Sequence, residues 1–160
     1  MKKTKSMVIG LSFLWPCYFS NAAIGPQKNL MTERQNILES LKLPRKNRLM
    51  NLQSSGRNLV QLQDIAVDDK LSLKIRWRAI TTLGELSPTH SVPFLEKLIK
   101  SKEWFLRNAA MIAISHADRP TVMKWSGQLL NDSSLMVRTA AVQAIKKING
   151  VELQDVLWER

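Results

Sequence analysis

An internal repeat with a period of 31 residues constrains the fold of this chain more than any other feature of its sequence. Three columns of residues recur at that offset: an arginine, an alanine and a large aliphatic residue. The columns are Arg76, Arg107 and Arg138; Ala79, Ala110 and Ala141; and Leu83, Ile114 and Ile145. Because the agreement covers basic, small and apolar positions together, the chain reads as three copies of one structural unit.

Each copy has the pattern of two helices joined by a short turn. In the last copy, apolar residues at helical spacing over 123–130 are followed by the cap-forming run Asn-Asp-Ser-Ser over 131–134. A second apolar helix is predicted over 135–148, and Asn149 with Gly150 predicts its end. A single pair of such helices cannot bury its apolar face, so the pairs must stack. The sequence therefore predicts an all-α fold.

The copies carry a family resemblance. The segment over 132–145, Asp-Ser-Ser-Leu-Met-Val-Arg-Thr-Ala-Ala-Val-Gln-Ala-Ile, resembles a short HEAT-like repeat of the lyase-associated type. The copy over 102–114 matches it closely, and the copy over 71–83 is less faithful. The resemblance implies a right-handed α-solenoid of about three two-helix repeats, whose second helices line a concave side that commonly serves for binding. The implied repeats cover 57–87, 88–118 and 119–150.

The residues on either side of the repeats have the pattern of helical caps. Thr32 and Gln35 have the spacing of a capping box, which predicts that an N-terminal helical cap begins there and extends over 32–56. Pro44 suits the first turn of a second helix within that cap. The remaining segments are predicted to be a flexible lead over 24–31 and a C-terminal cap over 151–160.

The N-terminal residues have the order of a secretory signal peptide. Three lysines within the first five residues precede an apolar run over 7–19, and small residues follow over 20–23. The run is shorter than the ~20 apolar residues that a transmembrane helix needs. We therefore expect a cleaved signal peptide over 1–23 and export of the protein, either to the periplasm of a Gram-negative bacterium or out of the cell.

Two other fates of this segment stay open: an uncleaved membrane anchor, and the attachment of lipid at Cys17. A bacterial lipobox has a small residue before its cysteine, whereas Trp15 and Pro16 precede Cys17. Cleavage of the signal would remove the single cysteine of the chain. The mature chain would then have neither a disulfide nor a thiolate metal site.

The charge of the chain favours acidic partners. Its formal net charge is +11, and the loss of three lysines with the signal peptide would leave +8. Such a surplus attracts an acidic protein face, an anionic envelope polymer, lipid head groups or nucleic acid, although it also serves solubility. The basic residues are spread along the chain, so no single run marks a site. We expect the mature chain to be a monomer without a transmembrane segment.

The sequence predicts no catalytic residue, no metal ligand and no cofactor. Its two histidines, His90 and His116, fall in turns between helices and have no metal-ligand spacing with other residues. The repeats bring neither of them into a serine-histidine-acid arrangement, and the chain has no glycine-rich phosphate loop. We therefore expect a protein that is not an enzyme.

The candidate partner-binding stripe is the face of the second helices that lies opposite the predicted core. Trp77 and Ile112 are large and apolar at positions where the helical wheel predicts water. In the alternative interpretation, the N-terminal cap folds over Trp77 and buries it. We expect Trp104 and Trp125 to pack between helices. The stripe consists of Trp77, Thr81, Asn108, Ile112, Thr139, Gln143 and Lys146.

The arginine column has two possible uses. In proteins that this sequence resembles, such arginines bond loop aspartates and carbonyls between stacked units, and Asp132 is the clearest partner of this kind here. Alternatively, Arg76, Arg107 and Arg138 bind an anion, since guanidinium groups suit both uses. Together these patterns favour an exported, non-catalytic scaffold that binds an unidentified protein, with an acidic protein as one candidate. The alternative is a basic face that binds an anionic envelope polymer, lipid head groups or nucleic acid.

Overall fold

The computed structural model describes residues 25–53 and 57–149, which form eight α-helices and no strand. The helices are α1 (Gly25–Lys42), α2 (Arg45–Leu52), α3 (Arg57–Val67), α4 (Leu73–Leu86), α5 (Pro88–Ile99), α6 (Trp104–Ile114), α7 (Arg119–Leu129) and α8 (Leu135–Lys147). The predicted all-α class is confirmed. The predicted signal peptide over 1–23, the C-terminal cap over 151–160 and Gly150 lie outside the described residues.

The helices from α3 onward pack as pairs, α3 with α4, α5 with α6 and α7 with α8. The second helices of the pairs, α4, α6 and α8, also pack against one another in chain order. Near their N-terminal ends, the side-chain amide of Asn108 on α6 donates to the Met136 carbonyl of α8 at 2.8 Å. Near their C-terminal ends, Gly84 of α4 lies against Ala113 of α6. The second helices therefore run parallel, with their N-termini at one edge of the stack.

The repeated small and aliphatic columns form the core. Ala79, Ala110 and Ala141 are fully buried, and Leu83 and Ile114 lie in the same cluster. Alanine at the centre of each second helix lets its neighbours approach closely, because it adds only one carbon beyond the backbone. The core therefore runs through all three pairs rather than forming separate clusters.

The last described helix leaves one core position open. Ile80 and Met111 are fully buried, whereas Val142, the equivalent residue of α8, is 38% exposed. Within the described part of the chain no helix follows α8 to cover it. Asn149 adopts a left-handed φ of 51° just after this helix, as is common where a helix ends.

The N-terminal part departs from the predicted boundaries. Helix α1 begins at Gly25, so most of the predicted flexible lead over 24–31 is helical. Thr32 and Gln35 lie inside α1 and do not form a capping box at its start, and the Gln35 amide instead donates to Glu39 at 3.1 Å. A capping-box spacing also occurs by chance inside helices, and a proline in the first turn is the better signal of a helix start. Pro44 directly precedes α2.

The two N-terminal helices pack against α4. The Arg78 guanidinium donates to the carbonyls of Leu41 and Lys42 at the end of α1, at 2.8 and 3.0 Å. Arg45 at the start of α2 is 2.9 Å from the carboxylate of Glu85 on α4. These contacts hold the N-terminal helices to one side of α4, and Trp77 remains 37% exposed. The expectation that the cap could bury Trp77 is therefore wrong.

We expect the substitution Gly84→Ala to destabilise the stack. A Cβ atom at Gly84 would lie 2.4 Å from the carbonyl oxygen and 2.6 Å from the Cα of Ala113. Both atoms belong to the backbone, so α4 and α6 would have to separate. Overpacking of this kind lowers the free energy of unfolding by about 3 kcal/mol, which exceeds the ~1 kcal/mol gain in helix propensity. Urea unfolding followed by circular dichroism measures the loss.

The matched control is Gly127→Ala, which places the same methyl group inside α7 at a partly exposed position. We expect the control to be neutral or slightly stabilising, because alanine is the better helix former. Equal stability of the two variants would show that α4 and α6 do not depend on the close approach at Gly84.

Candidate functional site

Five of the seven predicted stripe residues meet in one groove across α4, α6 and α8. They are Trp77, Asn108, Ile112, Thr139 and Gln143. The groove has a volume of about 360 Å³ and is also lined by Trp104, Phe105, Met136 and Ala140. Its residues come from equivalent positions of successive second helices, because those helices run parallel.

The walls of the groove are mainly aromatic and aliphatic. Trp77 of α4 and Trp104 at the start of α6 are 37% and 50% exposed, and Met136 of α8 is 55% exposed. Ile112 and Phe105 of α6 are partly buried between them and rest on the core. Large apolar side chains that stay accessible to solvent in one concave place are typical of a surface that contacts a partner.

The polar groups of the groove are mostly engaged within the protein. The Asn108 amide donates to the Met136 carbonyl, and the Thr139 hydroxyl donates to the carbonyl of Leu135 at 2.9 Å. Gln143 is exposed on the α8 wall. A partner would thus meet apolar surface first, with Gln143 as a polar contact at the rim.

The helical wheel predicted that the stripe residues are exposed, but two of them are buried. Thr81 is 4% exposed and Asn108 is 8% exposed. Thr81 lies on α4, which other helices contact on several sides, and its hydroxyl donates to the Trp77 carbonyl at 3.1 Å. Asn108 is buried because α8 packs beside α6. Lys146 is exposed but does not line the groove.

The two tryptophans expected in the core have different positions. Trp125 is 4% exposed as predicted, and its indole Nε1 donates to Glu96 at 2.9 Å. This hydrogen bond holds the pKa of Glu96 below its usual value. Trp104 is half exposed, so the prediction that it packs between helices is wrong. It is the first residue of α6 and forms part of the groove wall.

Sequence reasoning missed a row of exposed apolar residues at that edge, which we call the apolar row. It consists of Leu73, Trp104 and Leu135, the first residues of α4, α6 and α8, which are 57%, 50% and 66% exposed. The row was visible in the sequence, since its members are separated by the repeat period of 31 residues. Because leucine and tryptophan are typical core residues, their recurrence at this spacing indicates burial.

The arginine column contacts the loops between helices. Arg107 makes a bidentate pair with Asp132, at 2.7 and 2.8 Å, and donates to the carbonyls of Ser101 and Lys102, both at 2.9 Å. Asp132 lies in the loop before α8, so this pair joins the second unit to the third. The sequence indicated that Asp132 binds an arginine. It did not show that one of its arginines, Arg107, comes from the preceding unit.

The other two arginines of the column also bond backbone carbonyls. Arg138 donates to the carbonyls of Asp132 and Ser133 at 2.7 and 3.1 Å. Arg76 donates to the Ala66 carbonyl at 3.1 Å, and its guanidinium carbon lies 5.0 Å from the centre of the Phe105 ring. All three guanidinium groups are therefore engaged with protein groups, which is the arrangement expected of a structural ladder.

Asp132 is the electrostatic centre of this ladder. Hydrogen bonds from Arg107 hold the pKa of Asp132 below its usual value, and Asp132 raises the pKa of Arg107 in turn. The Asp132 carboxylate also accepts from the Ser134 backbone amide at 2.8 Å. Its side chain is 7% exposed, so solvent screens the pair little.

The histidines are apart from the groove. His90 lies in the first turn of α5 and not in the turn between helices where the sequence predicted it, and its ring is 3.2 Å from the hydroxyl of the N-cap residue Ser87. Burial lowers the pKa of His116, and the positive charge of Lys147 lowers it further. Over 25–53 and 57–149, no group of three or more His, Cys, Asp or Glu residues could hold a metal ion. None of the helices in those ranges is both long and apolar enough to cross a membrane.

We expect Asp132→Asn to lower the free energy of unfolding by about 2 kcal/mol at neutral pH, because Arg107 would lose a charged hydrogen-bond partner. The carboxylate binds protons less readily when folded, so its contribution is present above its usual pKa of 3.8 and declines as the pH falls below that value. The stability difference between wild type and variant should therefore shrink in acid. Urea unfolding at a series of pH values measures it.

Asp69→Asn is the control, since Asp69 is an exposed aspartate in the loop before α4. We expect it to leave the unfolding midpoint at neutral pH close to that of the wild type. A loss for Asp132→Asn that stays constant from neutral to acidic pH would contradict the role of the carboxylate charge.

No protein-family model, curated protein or solved structure matches the chain.

Proposed function

We propose that this protein is a non-catalytic scaffold and that the groove across α4, α6 and α8 holds a segment of a partner protein. The observation that carries the proposal is the concentration of Trp77, Ile112 and Met136 in one groove. Apolar side chains in a groove are the usual energetic centre of a protein interface, and tryptophan is enriched among the residues that contribute most.

The origin of the groove in repeated positions supports this proposal. Trp77, Asn108 and Thr139 are equivalent residues of three parallel helices, as are Thr81, Ile112 and Gln143. A partner segment that crosses these helices would meet a similar set of positions on each of them. Stacked helical units commonly present such continuous surfaces to extended partners.

The sequence supplies the wider setting of the proposal. The resemblance of 71–83, 102–114 and 132–145 to short HEAT-like repeats supports a right-handed α-solenoid with the groove on its concave side. The lysines, apolar run and small residues of the first 23 positions support export to the periplasm or out of the cell. The net charge of +11 favours an acidic partner.

The alternative use of the arginine column as an anion site has less support. Arg76 already donates to the Ala66 carbonyl in the last turn of α3, Arg107 to the Asp132 carboxylate and Arg138 to the Asp132 carbonyl. An anion would have to displace these bonds, and the Arg107–Asp132 pair is the most costly to break because it is bidentate and largely buried. The groove therefore supports protein binding better than the ladder supports anion binding.

We expect a photo-crosslinking amino acid at Gln143 to capture a defined partner from an extract of the cell envelope of the source organism. Gln143 lines the groove and is exposed, so the probe faces the proposed partner without disturbing the core. The double substitution Trp77→Ala with Thr139→Gln should abolish the crosslink, because it removes one apolar wall and fills the groove from α8. Mass spectrometry of the adduct identifies the partner.

The control is Met50→Ser with Val60→Ser, which removes two apolar side chains of 63% and 60% exposure outside the groove. We expect this variant to crosslink as the wild type does. A crosslink of equal yield in the groove variant, or an equal one from a probe at Val60, would rule out the groove as the site.

A further inference from the structure

The apolar row lies at an edge where three parallel helices begin. Leu73, Trp104 and Leu135 each occupy the first position of a second helix and are at least half exposed. Adjacent packed helices are about 8–10 Å apart, so the row extends for roughly 20 Å. Of the three, Trp104 also lines the groove. Leu73 and Leu135 do not line the groove.

Exposed lysines accompany the apolar row. Lys70 and Lys74 flank Leu73, and Lys102 lies two residues before Trp104. Of the acidic residues in the same loops, Asp68 is paired with Arg34 at 2.6 Å and Asp132 with Arg107 at 2.7 Å. Glu103 is 4.0 Å from Arg76, and Asp69 is exposed. Three lysines thus stand against Asp69 and the weakly paired Glu103, which leaves a small positive excess at the edge.

The helix ends add to this positive potential. The N-caps Ser72, Glu103 and Ser134 make no side-chain hydrogen bond to the first turns of α4, α6 and α8. The aligned peptide dipoles give each helix N-terminus a partial positive charge. Since the three helices are parallel, these charges lie side by side at the same edge as the lysines.

We propose that this edge docks on an anionic lipid bilayer, with Leu73, Trp104 and Leu135 entering the interface. Lys70, Lys74 and Lys102 then contact the lipid phosphates. The proposal goes beyond the groove and its protein partner. Apolar side chains that enter the headgroup region and lysines that meet anionic lipids together give reversible membrane binding.

The shape of the edge favours a bilayer over an acidic protein. A protein interface has a contiguous, well-packed apolar core, and the groove offers such a surface. The apolar row consists instead of three exposed side chains at the starts of neighbouring helices, and two of them, Leu73 and Leu135, lie outside the groove. A fluid bilayer can accept such separate apolar side chains at its interface. Tryptophan also prefers the membrane interface, where its ring is half solvated.

The test is flotation of the full-length protein with vesicles of phosphatidylcholine, with and without phosphatidylglycerol. All variants keep the same N-terminal residues, so binding through the apolar run over 7–19 is common to them. We expect Leu73→Ser with Leu135→Ser to weaken binding to the anionic vesicles about tenfold. The control variant Met50→Ser with Val60→Ser should bind as the wild type does.

The contribution of the lysines to membrane binding is tested with two matched double variants. Lys74→Gln with Lys102→Gln should weaken binding to the anionic vesicles about tenfold, whereas Lys46→Gln with Lys146→Gln, which removes the same charge elsewhere, should not. Brominated lipid should quench the tryptophan emission of the wild type more than that of Trp104→Phe. Circular dichroism of each variant verifies that the helices remain folded.

Several outcomes would overturn the proposal. Binding that does not change in Leu73→Ser with Leu135→Ser, or equal quenching of wild type and Trp104→Phe, would exclude the edge as the membrane contact. A second outcome is that the wild type does not bind vesicles but retains an acidic protein that Leu73→Ser with Leu135→Ser does not retain. That result would show that the edge binds a protein and not a bilayer. The crosslink at Gln143 should persist in the variant, so failure here is distinct from failure of the groove.

Discussion

The close approach of the second helices is the constraint on which the rest of the structure depends. Gly84 of α4 meets the backbone of Ala113 with no room for a side chain, and the alanine column keeps the centres of the helices close. Only small residues at these contacts allow three helices to lie parallel and side by side. The groove, the apolar row and the alignment of helix N-termini all result from this packing.

The loops are fixed to this stack by arginine. Asp132 accepts Arg107 from the preceding unit through its carboxylate and Arg138 from its own unit through its carbonyl. One loop residue thus joins α6 to the start of α8, and both helices line the groove. Packing determines which helices are neighbours, whereas the ladder determines how their loops are placed.

Much of this arrangement could be predicted from the repeat period. Residues 31 positions apart occupy equivalent places on parallel helices, so the period alone brings Trp77, Asn108 and Thr139 together. The burial of Ala79 and Ala110 follows from the same pattern. These features depend on spacing along the chain, which the sequence contains explicitly.

The remaining features depend on contacts between segments that the repeat does not relate. Thr81 is buried because α4 is packed between other helices, and a helical wheel of α4 contains no information on those neighbours. Trp104 is exposed because of its place at the edge of the stack, although its residue type suggests a core. The spacing of Thr32 and Gln35 likewise did not predict that α1 begins at Gly25, because both residues lie inside that helix.

The open position at Val142 has a consequence for how such a chain can change in length. Its equivalents, Ile80 and Met111, are fully buried, and each lies on a helix that packs against the second helix of the following pair. A duplicated pair inserted before α7 would meet the surfaces that α6 and α7 already present to each other. Because α4, α6 and α8 pack side by side in succession, a pair added in this way would lengthen the row of second helices that carries the groove.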